Sequence, residues 1–399
     1  MKKPTINEPI SDFVTISGYL AVKELLRNKG RFFLISLVIA LITLLVLFIA
    51  ALGEGLGNGN REYISKLDAD LVVFQAKSDK VIASSRLGNN RIAAIRRIDG
   101  VADAGGLFTS NAAVVFFNGN EPVKIALLGI EPGKPGEPKV LQGKQFRKNL
   151  ADEVILDKNT ALRTKLKIGD TAIIRTTQGE KDKFFEMVVV GITDGQQYGL
   201  QPSIFIPYQT WDNIRSKSAA EIGSGNPVAN VVILKLTDPK AADEVTARLI
   251  AKVDNIEVAT IDESIKALPG YTAQQSTLST QGAFTLIIGI LVIGGFFQIQ
   301  VLQKVSQIGV LKAIGTSTPA VAVASIIQIV LVTIVGVFIG AFLTFLLSLS
   351  FPPTVPIVFN GGTSALAVVA LIIIGPLGGL VSINYAARIE PLKALGLSS

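Results

Sequence analysis

The sequence has no histidine and no cysteine among its 399 residues, and it has only two methionines and one tryptophan. These absences exclude Ser–His–Asp and Cys–His nucleophilic sites, histidine acid–base catalysis and the usual zinc centres. A domain outside the cell would also lack a disulfide framework. No phosphate-binding loop of the G-x-x-x-x-G-K-[ST] type occurs, and the glycine string at 53–59 does not fit it. The chain is therefore predicted to be non-catalytic, with no cofactor or metal of its own.

Charged residues are scarce, at 17% of the chain against roughly 25% in soluble globular proteins. None occurs between residues 31 and 54, 266 and 304, or 312 and 388. A bilayer-spanning helix needs about 20 apolar residues, so the first two gaps hold one helix each and the third holds two. The sequence predicts an integral membrane α-helical protein with four transmembrane helices in a 1+3 layout. A large α+β extracytoplasmic domain is expected between helices 1 and 2.

The domain boundaries follow from the apolar runs and the polar breaks between them. The first run is too long for a signal peptide and lacks a small-residue cleavage site, so it is predicted to be retained. The expected order is a cytoplasmic amphipathic segment (1–31), the first span (32–52), the extracytoplasmic domain with its stalks (53–282), the second span (283–302), a cytoplasmic coupling loop or helix (303–319), the third span (320–350), a short extracytoplasmic loop (351–363), the fourth span (364–386) and a cytoplasmic tail (387–399).

Lysine and arginine in the short flanking segments predict the orientation. The N-terminal segment, the 303–319 loop and the tail carry ten basic and four acidic residues, whereas the 351–363 loop carries no charge. Both termini are therefore expected in the cytoplasm. The large insert holds the other 28 basic and 27 acidic residues, so it is nearly neutral. Most of the net charge of +7 therefore comes from the segments expected in the cytoplasm. No nucleic-acid partner is expected, because no basic stripe is present.

The large insert mixes strand and helix patterns. Asp152 and Glu153 would point to opposite faces of a strand and are interpreted as surface charge. Runs rich in valine and isoleucine predict strands at Leu71–Phe74, Ala112–Phe117, Ile125–Ile130, Thr171–Thr176, Phe184–Ile192, Ser203–Pro207 and Val231–Leu236. Helical spacing with suitable caps predicts helices at Asn89–Ile98, Asn159–Lys165, Tyr208–Lys217 and Lys240–Val253.

The most specific pattern is QKVSQIGVLKAIGTS, which occupies 303–317 in the cytoplasmic loop. Gly315 would end a helix there, and Pro319 would bar its continuation. A short helix would align along one stripe the apolar residues that recur at every third position, Val305, Ile308, Leu311 and Ile314. The periodicity leaves two interpretations open, a docking surface for a partner protein and an amphipathic connector on the membrane lipids.

This loop resembles the cytoplasmic-loop signature of the FtsX/MacB family of ABC transporter permeases. The tail sequence ARIEPLKAL, at 387–395, resembles the family's R-x-x-P-x-x-A-L ending. The stretch 154–171 is similar to the family's extracytoplasmic core domain. Together with the 1+3 layout, the resemblance covers almost the whole chain.

The resemblance implies a homodimer in a bacterial inner or plasma membrane, bound to two copies of a separate ATP-binding subunit that hydrolyses ATP-Mg. It implies export or membrane extraction of a hydrophobic cargo by mechanotransmission, in which the stalks move and no channel opens. Stalk candidates are 53–66 and 262–281, and an adaptor or membrane-fusion protein stays open as a further partner. The docking surface for the ATP-binding subunit would comprise Lys304, Gln307, Ile308, Leu311, Lys312, Ile314, Gly315 and Pro391.

Within the family, the loop sequence SQIGVLKAIG and the exit of the first span, 47–57, are similar to the haem-exporter permeases of Gram-positive bacteria. The glycolipid-exporter permeases of cyanobacteria are a neighbouring branch. Haem is therefore one expected cargo. Glycolipid, drug or lipoprotein export stays open, as does regulation of cell-wall hydrolases without transport.

A haem cargo would need an iron ligand, which in a chain without histidine and cysteine leaves tyrosine, methionine or a carboxylate. Glu54 is the first candidate, because it follows the first predicted span and lies between two glycines. Tyr63 is the second. The alternative interpretation of Glu54 is an interfacial acid that stays in water.

Overall fold

The structure is a computed structural model that describes residues 23 and 25–387, apart from 117–120, 219–220, 222–227, 304–305, 307–309, 311–317, 352–354 and 356. The chain divides into two compact units. The outer unit is Leu56–Gln275, and the membrane unit comprises the residues up to Gly55 and from Ser276 onward. The boundary falls within the first described helix, α1 (Lys29–Ser65).

The outer unit alternates short helices with strands. Its strands are β1 (Leu71–Gln75), β2 (Val101–Val115), β3 (Val123–Ile130), β4 (Val140–Gly143), β5 (Glu153–Asp157), β6 (Thr171–Gln178), β7 (Lys181–Thr193), β8 (Ser203–Pro207), β9 (Val231–Leu236) and β10 (Ile256–Thr260). Its α-helices after α1 are α2 (Asn89–Ile95), α3 (Lys158–Thr164), α4 (Tyr208–Ile214), α5 (Ala242–Lys252) and α6 (Ile261–Lys266).

These strands form one mixed sheet, with the order β10-β1-β9-β2-β3-β8-β5-β7-β4. The remaining strand, β6, pairs with both β2 and β7, so six strands close into a barrel-like ring. The pairs β3–β8 and β5–β7 are parallel, and the others are antiparallel. At 15 residues, β2 belongs to both parts of the sheet, because it pairs with β9 along its first half and with β3 and β6 along its second.

Successive residues of each strand point to opposite faces, so the sheet separates two apolar cores. In β1, Val73 packs into the first core and Val72 into the second. The second core also receives the end of α1, where Tyr63 and Ile64 are each only 1% exposed. The last turn of α1 is therefore part of the packed interior of the outer unit.

The membrane unit contains the first part of α1, all but the first five residues of α7 (Tyr271–Gln303), and the helices α8 (Thr318–Ser348) and α9 (Gly361–Ala387). Among the described residues, three helical stretches are long and apolar enough to cross a membrane: Lys29–Gly59, Tyr271–Ile299 and Ala322–Ser348. A fourth apolar stretch, Gly361–Leu377, is shorter. All four helices contribute to one apolar cluster, for example through Ile39, Phe297, Val332 and Leu371.

Glycines let the helices of the membrane unit approach one another closely. A Cβ atom on Gly336 of α8 would lie 2.7 Å from Ile39 Cβ on α1, and one on Gly340 would lie 2.5 Å from the Ala40 carbonyl oxygen. On α9, a Cβ on Gly375 would overlap Thr333 of α8. This spacing of small residues by four positions is typical of tightly packed membrane helices.

The seven predicted strands and the four predicted helices of the insert are present, with most of their ends within a few residues. Four features were not predicted: the first half of β2, and the strands β4, β5 and β10. β4 is mostly exposed and β10 is a short edge strand, so neither carries a strong pattern. The first half of β2 contains Gly105 and Gly106, which lower strand propensity. A Cβ on Gly105 would overlap the Pro135 carbonyl oxygen, so close packing explains the glycine there.

The stalk regions also differ in detail from the prediction. The sequence predicts a span that ends at residue 52, whereas α1 continues through the glycine string to Ser65. The glycines therefore lie inside the helix, where close packing requires a residue without a side chain. At Gly53, for example, a Cβ atom would lie 2.9 Å from Leu278 on α7. The predicted second stalk, 262–281, is not one helix, since α6 ends at Lys266 and α7 begins at Tyr271.

Candidate functional site

Glu54 lies on α1 and is half-buried in the membrane unit. Its Oε1 atom accepts a hydrogen bond from Asn360 Nδ2 at 3.3 Å. Asn360 belongs to the segment 351–360 between α8 and α9 and is 306 residues away in the chain. The fold therefore gives the predicted carboxylate a polar neighbour that the sequence alone did not indicate.

Asn360 is also the N-cap of α9. Its Oδ1 accepts from the Gly362 backbone N–H at 3.0 Å, and its carbonyl oxygen accepts from the Ser364 N–H at 2.9 Å. This is the usual role of asparagine at a helix start, where it satisfies backbone donors that the helix leaves free. Glu54 consequently lies beside the N-terminal end of α9, where the helix dipole stabilises a negative charge.

Apolar residues occupy the two segments that carry Glu54 and Asn360. Phe48 and Phe351 have ring centroids 5.6 Å apart, and the Val358 N–H donates to the Ala51 carbonyl oxygen at 3.1 Å. Val358 and Phe359 remain 38% and 42% exposed. The residues Glu54, Val358, Phe359 and Asn360 are called the Glu54 site. The site thus combines one carboxylate with exposed apolar residues on the segment that carries its hydrogen-bond partner.

Tyr63, the second candidate ligand, lies in the second core of the outer unit. Its hydroxyl group donates to the Gly136 carbonyl oxygen at 3.4 Å, and its ring packs against Tyr198 and Phe205 with centroids 6.2 and 5.8 Å away. Burial raises the pKa of this phenol above its ordinary value, with a smaller contribution from Tyr198. These contacts give Tyr63 a packing role, and its binding of cargo stays a prediction.

The predicted docking residues Lys304, Gln307, Ile308, Leu311, Lys312, Ile314, Gly315 and Pro391 lie outside the described residues, so their role also stays a prediction. The predicted stalks, by contrast, can be compared with the structure. In the outer unit, Arg61 Nη1 donates to the Tyr271 hydroxyl at 3.3 Å, while its Nη2 donates to Asn58 Oδ1 at 2.8 Å. The end of α1 and the start of α7 therefore lie side by side.

Asp157 is a buried ionisable group that the sequence did not reveal. It is the last residue of β5 and has no exposed surface. Its Oδ1 accepts from the Gln196 N–H at 2.7 Å, and Oδ2 accepts from the Asn159 N–H at 3.2 Å. Burial raises the pKa of this carboxyl to about 6, the Glu62 carboxylate adds to that shift, and the hydrogen bonds oppose it. A DxN sequence after a strand was the available signal for the helix cap.

Two family models match the chain in sequence. The MacB-like periplasmic core domain matches residues 32–252, which is more than half of the chain, and the FtsX-like permease C-terminal domain matches residues 280–391. The chain belongs to the FtsX/MacB family of ABC transporter permeases. The predicted family is thereby confirmed, and the outer unit is the extracellular α/β domain of such a permease.

Curated relatives match this permease over nearly its full length. It is 25% identical over 382 residues to "Putative hemin transport system permease protein HrtB" of Staphylococcus haemolyticus, covering 94% of this chain and 99% of that protein. The protein of the same name from Staphylococcus epidermidis strain ATCC 12228 is 26% identical over the same coverage. "Macrolide export ATP-binding/permease protein MacB" of Rhodopseudomonas palustris strain HaA2 is 23% identical over 417 residues, 96% of this chain and 60% of that protein.

Among solved structures, the extracellular domain of "noncanonic ABC-type transporter YknZ from Gram-positive bacteria" covers 48% of this chain and 99% of its own, at 15% identity and a TM-score of 0.35. The periplasmic region of MacB from Actinobacillus actinomycetemcomitans covers 51% of this chain at 16% identity, also with a TM-score of 0.35. The family assignment depends on the sequence matches.

Proposed function

We propose that this permease exports haem, or extracts it from the membrane, using ATP hydrolysis by two copies of a separate ATP-binding subunit. The permease itself is non-catalytic and works as a homodimer. Movement of α1 and of the start of α7 carries the effect of ATP hydrolysis to the outer domain, and no channel opens between the helices. The chain crosses the membrane four times with both termini in the cytoplasm, which agrees with the distribution of lysine and arginine.

The observation that carries this proposal is the near-complete match to two permeases named for hemin transport. The Glu54 site supports it independently of the names. A carboxylate that accepts a hydrogen bond from Asn360, on a segment where Val358 and Phe359 are exposed, offers both an oxygen ligand and apolar surface. Haem needs both, because its macrocycle is apolar and its iron takes a protein ligand.

The shape of α1 supports the mechanical part of the proposal. It is a single helix of 37 residues that begins in the membrane unit and ends in the packed core of the outer unit. A continuous helix with a buried end transmits a displacement along its length, whereas a flexible linker would absorb it. This agrees with mechanotransmission through the stalks.

The proposal is tested by ATP hydrolysis of the purified permease with its ATP-binding subunit in lipid nanodiscs. Haem, a macrolide, a glycolipid and a lipopeptide are added in turn. We expect several-fold stimulation by haem and little effect of the others. Stimulation by the macrolide but not by haem would support a drug exporter instead, as the MacB relatives suggest, and would contradict haem as the cargo.

The docking residues can be examined in the same assay. Leu311→Asp places a charge on the apolar stripe of the coupling loop, and burying that charge against the partner should cost on the order of several kcal/mol. We expect loss of the complex and of its hydrolysis. The matched control is Val310→Asp, which adds the same charge one position away, at a side chain that is 47% exposed. If both variants assemble normally, the loop is a connector and not a docking surface.

A further inference from the structure

The segment 194–201, between β7 and β8, bonds to the backbone of α1 within the last two turns of that helix. The Tyr63 N–H donates to the Gln197 carbonyl oxygen at 3.1 Å, and the Leu200 N–H donates to the Gly59 carbonyl oxygen at 3.2 Å. Gly59 and Tyr63 are four residues apart, so in an α-helix the Tyr63 N–H and the Gly59 carbonyl oxygen would pair with each other. Here each of these two groups also bonds to the segment 194–201, which is called the α1 clamp.

Two side chains at the end of α1 also bond to the clamp: Glu62 lies in the last turn of the helix, and Lys66 directly follows it. Lys66 Nζ donates to the carbonyl oxygens of Asp194 and Gly195 at 2.7 and 2.6 Å. The Glu62 Oε2 atom accepts from the Gln197 N–H at 3.3 Å, and its Oε1 pairs with Lys66 at 3.2 Å. The start of the clamp is therefore held by an anion from the last turn of α1 and a cation from the residue that follows the helix.

Two glycines make this approach possible. A Cβ atom on Gly59 would lie 3.2 Å from both Gln197 Oε1 and Leu200 Cδ2, which is closer than ordinary packing allows. A Cβ on Gly195 would overlap Glu62 Oε1, and Gly195 also has a positive φ of 47°. Gly57 differs from both, because nothing lies within 4 Å of a Cβ there. The glycine string of α1 thus contains one position that fits the clamp and one that does not touch it.

The clamp is bonded to the sheet as well as to the helix. The Gln196 N–H donates to Asp157 Oδ1 at 2.7 Å, and Asp157 is the last residue of β5. Gln196 and Gln197 are consecutive, so one backbone amide bonds to the sheet and the next bonds to Glu62 on the helix. If α1 moved without the clamp, the hydrogen bonds that Glu62, Tyr63 and Lys66 make with it would be lost, which is costly.

We propose that the α1 clamp is the joint that makes the outer sheet follow α1 as one body when ATP-binding subunits move the helix. This inference rests on the proposed function and adds the residues that carry the movement into the outer domain. Gly59 and Glu62 on the helix and Lys66 directly after it are the positioning residues, and the segment 194–201 between β7 and β8 is their counterpart.

The test uses the complete complex, with two spin labels attached to cysteines at Leu56 on α1 and Lys252 on α5. The chain has no native cysteine, so both labels are specific. In the wild-type background we expect the same distance between the two labels with and without ATP. Gly59→Leu forces the clamp off the helix, and we then expect a distance that shifts and broadens when ATP is added. Gly57→Leu is the matched control and should behave as wild type.

A second variant covers the case in which Gly59→Leu does not fold. Lys66→Met keeps the apolar stem and removes the two hydrogen bonds to the clamp, so we expect a smaller shift of the same kind. Its matched control is Lys158→Met, because Lys158 also pairs with Asp194, at 3.8 Å, but lies on α3. If Gly59→Leu and Lys66→Met both keep the wild-type distance, or if the wild-type distance itself changes with ATP, the clamp proposal is overturned.

A second measurement distinguishes failure of the clamp from failure of the proposed function. It uses one label at Leu56 in each copy of the permease and records the distance between the two labels. An ATP-dependent change in that distance with no effect of Gly59→Leu overturns the clamp alone. No ATP-dependent change in the wild type overturns the mechanical function, and the clamp with it.

Discussion

The outer unit and the membrane unit are each stabilised internally by a different kind of packing. The outer unit buries large side chains between two faces of a sheet, and Trp211 is 4% exposed in its first core. The membrane unit brings helices together where side chains are missing, at Gly336, Gly340 and Gly375. The outer unit also uses glycine, but there it mostly serves turns, since all nine described glycines with positive φ lie between residues 100 and 270.

The difference follows from the solvent. In water, burying an apolar side chain stabilises the fold by about 25 cal/mol per Å² of apolar surface. Within a bilayer the lipid is as apolar as the side chains, so association depends on close packing. A substitution that adds side-chain atoms at a packed glycine should therefore destabilise the membrane unit, whereas one that removes a large buried side chain should destabilise the outer unit. Trp211→Ala and Gly340→Ala test this contrast directly, and the pH dependence of Asp157 tests a buried charge in the outer unit.

Trp211→Ala should have the largest effect. The indole packs against Phe108 with centroids 5.4 Å apart and donates from Nε1 to the Leu127 carbonyl oxygen at 3.1 Å. Its loss leaves a cavity and a buried acceptor without its donor, so we expect a cost of about 3–5 kcal/mol. The measurement is the thermal unfolding midpoint of the full chain in detergent. Trp211→Phe is the control and should cost less. Equal costs would show that packing at this position contributes little.

The Asp157 carboxyl should make stability depend on pH. Its pKa in the folded chain is about 6, above the ordinary 3.8, so the folded chain holds this proton more strongly than the unfolded chain. Stability should therefore fall as pH rises from about 4 to about 6 and stay lower above that, by about 3 kcal/mol. Unfolding midpoints across this range measure the effect.

Asp157→Asn supplies the control for that pH dependence. The amide oxygen can still accept one backbone hydrogen bond but cannot ionise, so this part of the pH dependence should disappear. A variant that loses stability between pH 4 and pH 6 as steeply as wild type would mean that other groups cause the loss.

Gly340→Ala should have a smaller effect in the membrane unit. The new methyl group would lie 2.5 Å from the Ala40 carbonyl oxygen and 2.6 Å from Thr43 Cβ, so α1 and α8 must separate. Overpacking of this kind costs about 1–3 kcal/mol. Gly295→Ala on α7 is the matched control, since nothing lies within 4 Å of a Cβ there. If both variants unfold at the wild-type temperature, close glycine packing does not hold this unit together.

Much of the fold could be predicted because its signals are local. Alternating valine and isoleucine marked the predicted strands, and charge-free runs marked the apolar helices. The sequence alone did not indicate that α1 continues through the glycine string, since the low helix propensity of glycine is outweighed there by packing against Leu278 and the clamp. Ring closure through β6 could not be predicted, since it depends on pairing between residues such as Val114 and Ile174 that are distant in sequence.

The candidate site shows the same limit. Glu54 was recognisable from its place beside an apolar run, but Asn360 was not, because only the fold joins them. The clamp sequence, DGQQYGLQ at 194–201, resembles an ordinary polar loop. Its role depends on backbone groups, which carry no sequence signal. Asp157 likewise appeared as one carboxylate among many, and only its complete burial distinguishes it.

The most direct test of the central claim is ATP-driven transfer of haem from proteoliposomes containing the complex to an external haem-binding protein, followed by absorbance. We predict transfer that requires ATP in the wild type. Glu54→Ala should lose most of it while basal ATP hydrolysis and assembly persist. Glu62→Ala is the control, because it removes a carboxylate about two helical turns further along α1. It should still bind haem in the absence of ATP. Absence of ATP-dependent transfer by the wild-type complex would contradict haem export, and unchanged transfer by Glu54→Ala would remove Glu54 from the site.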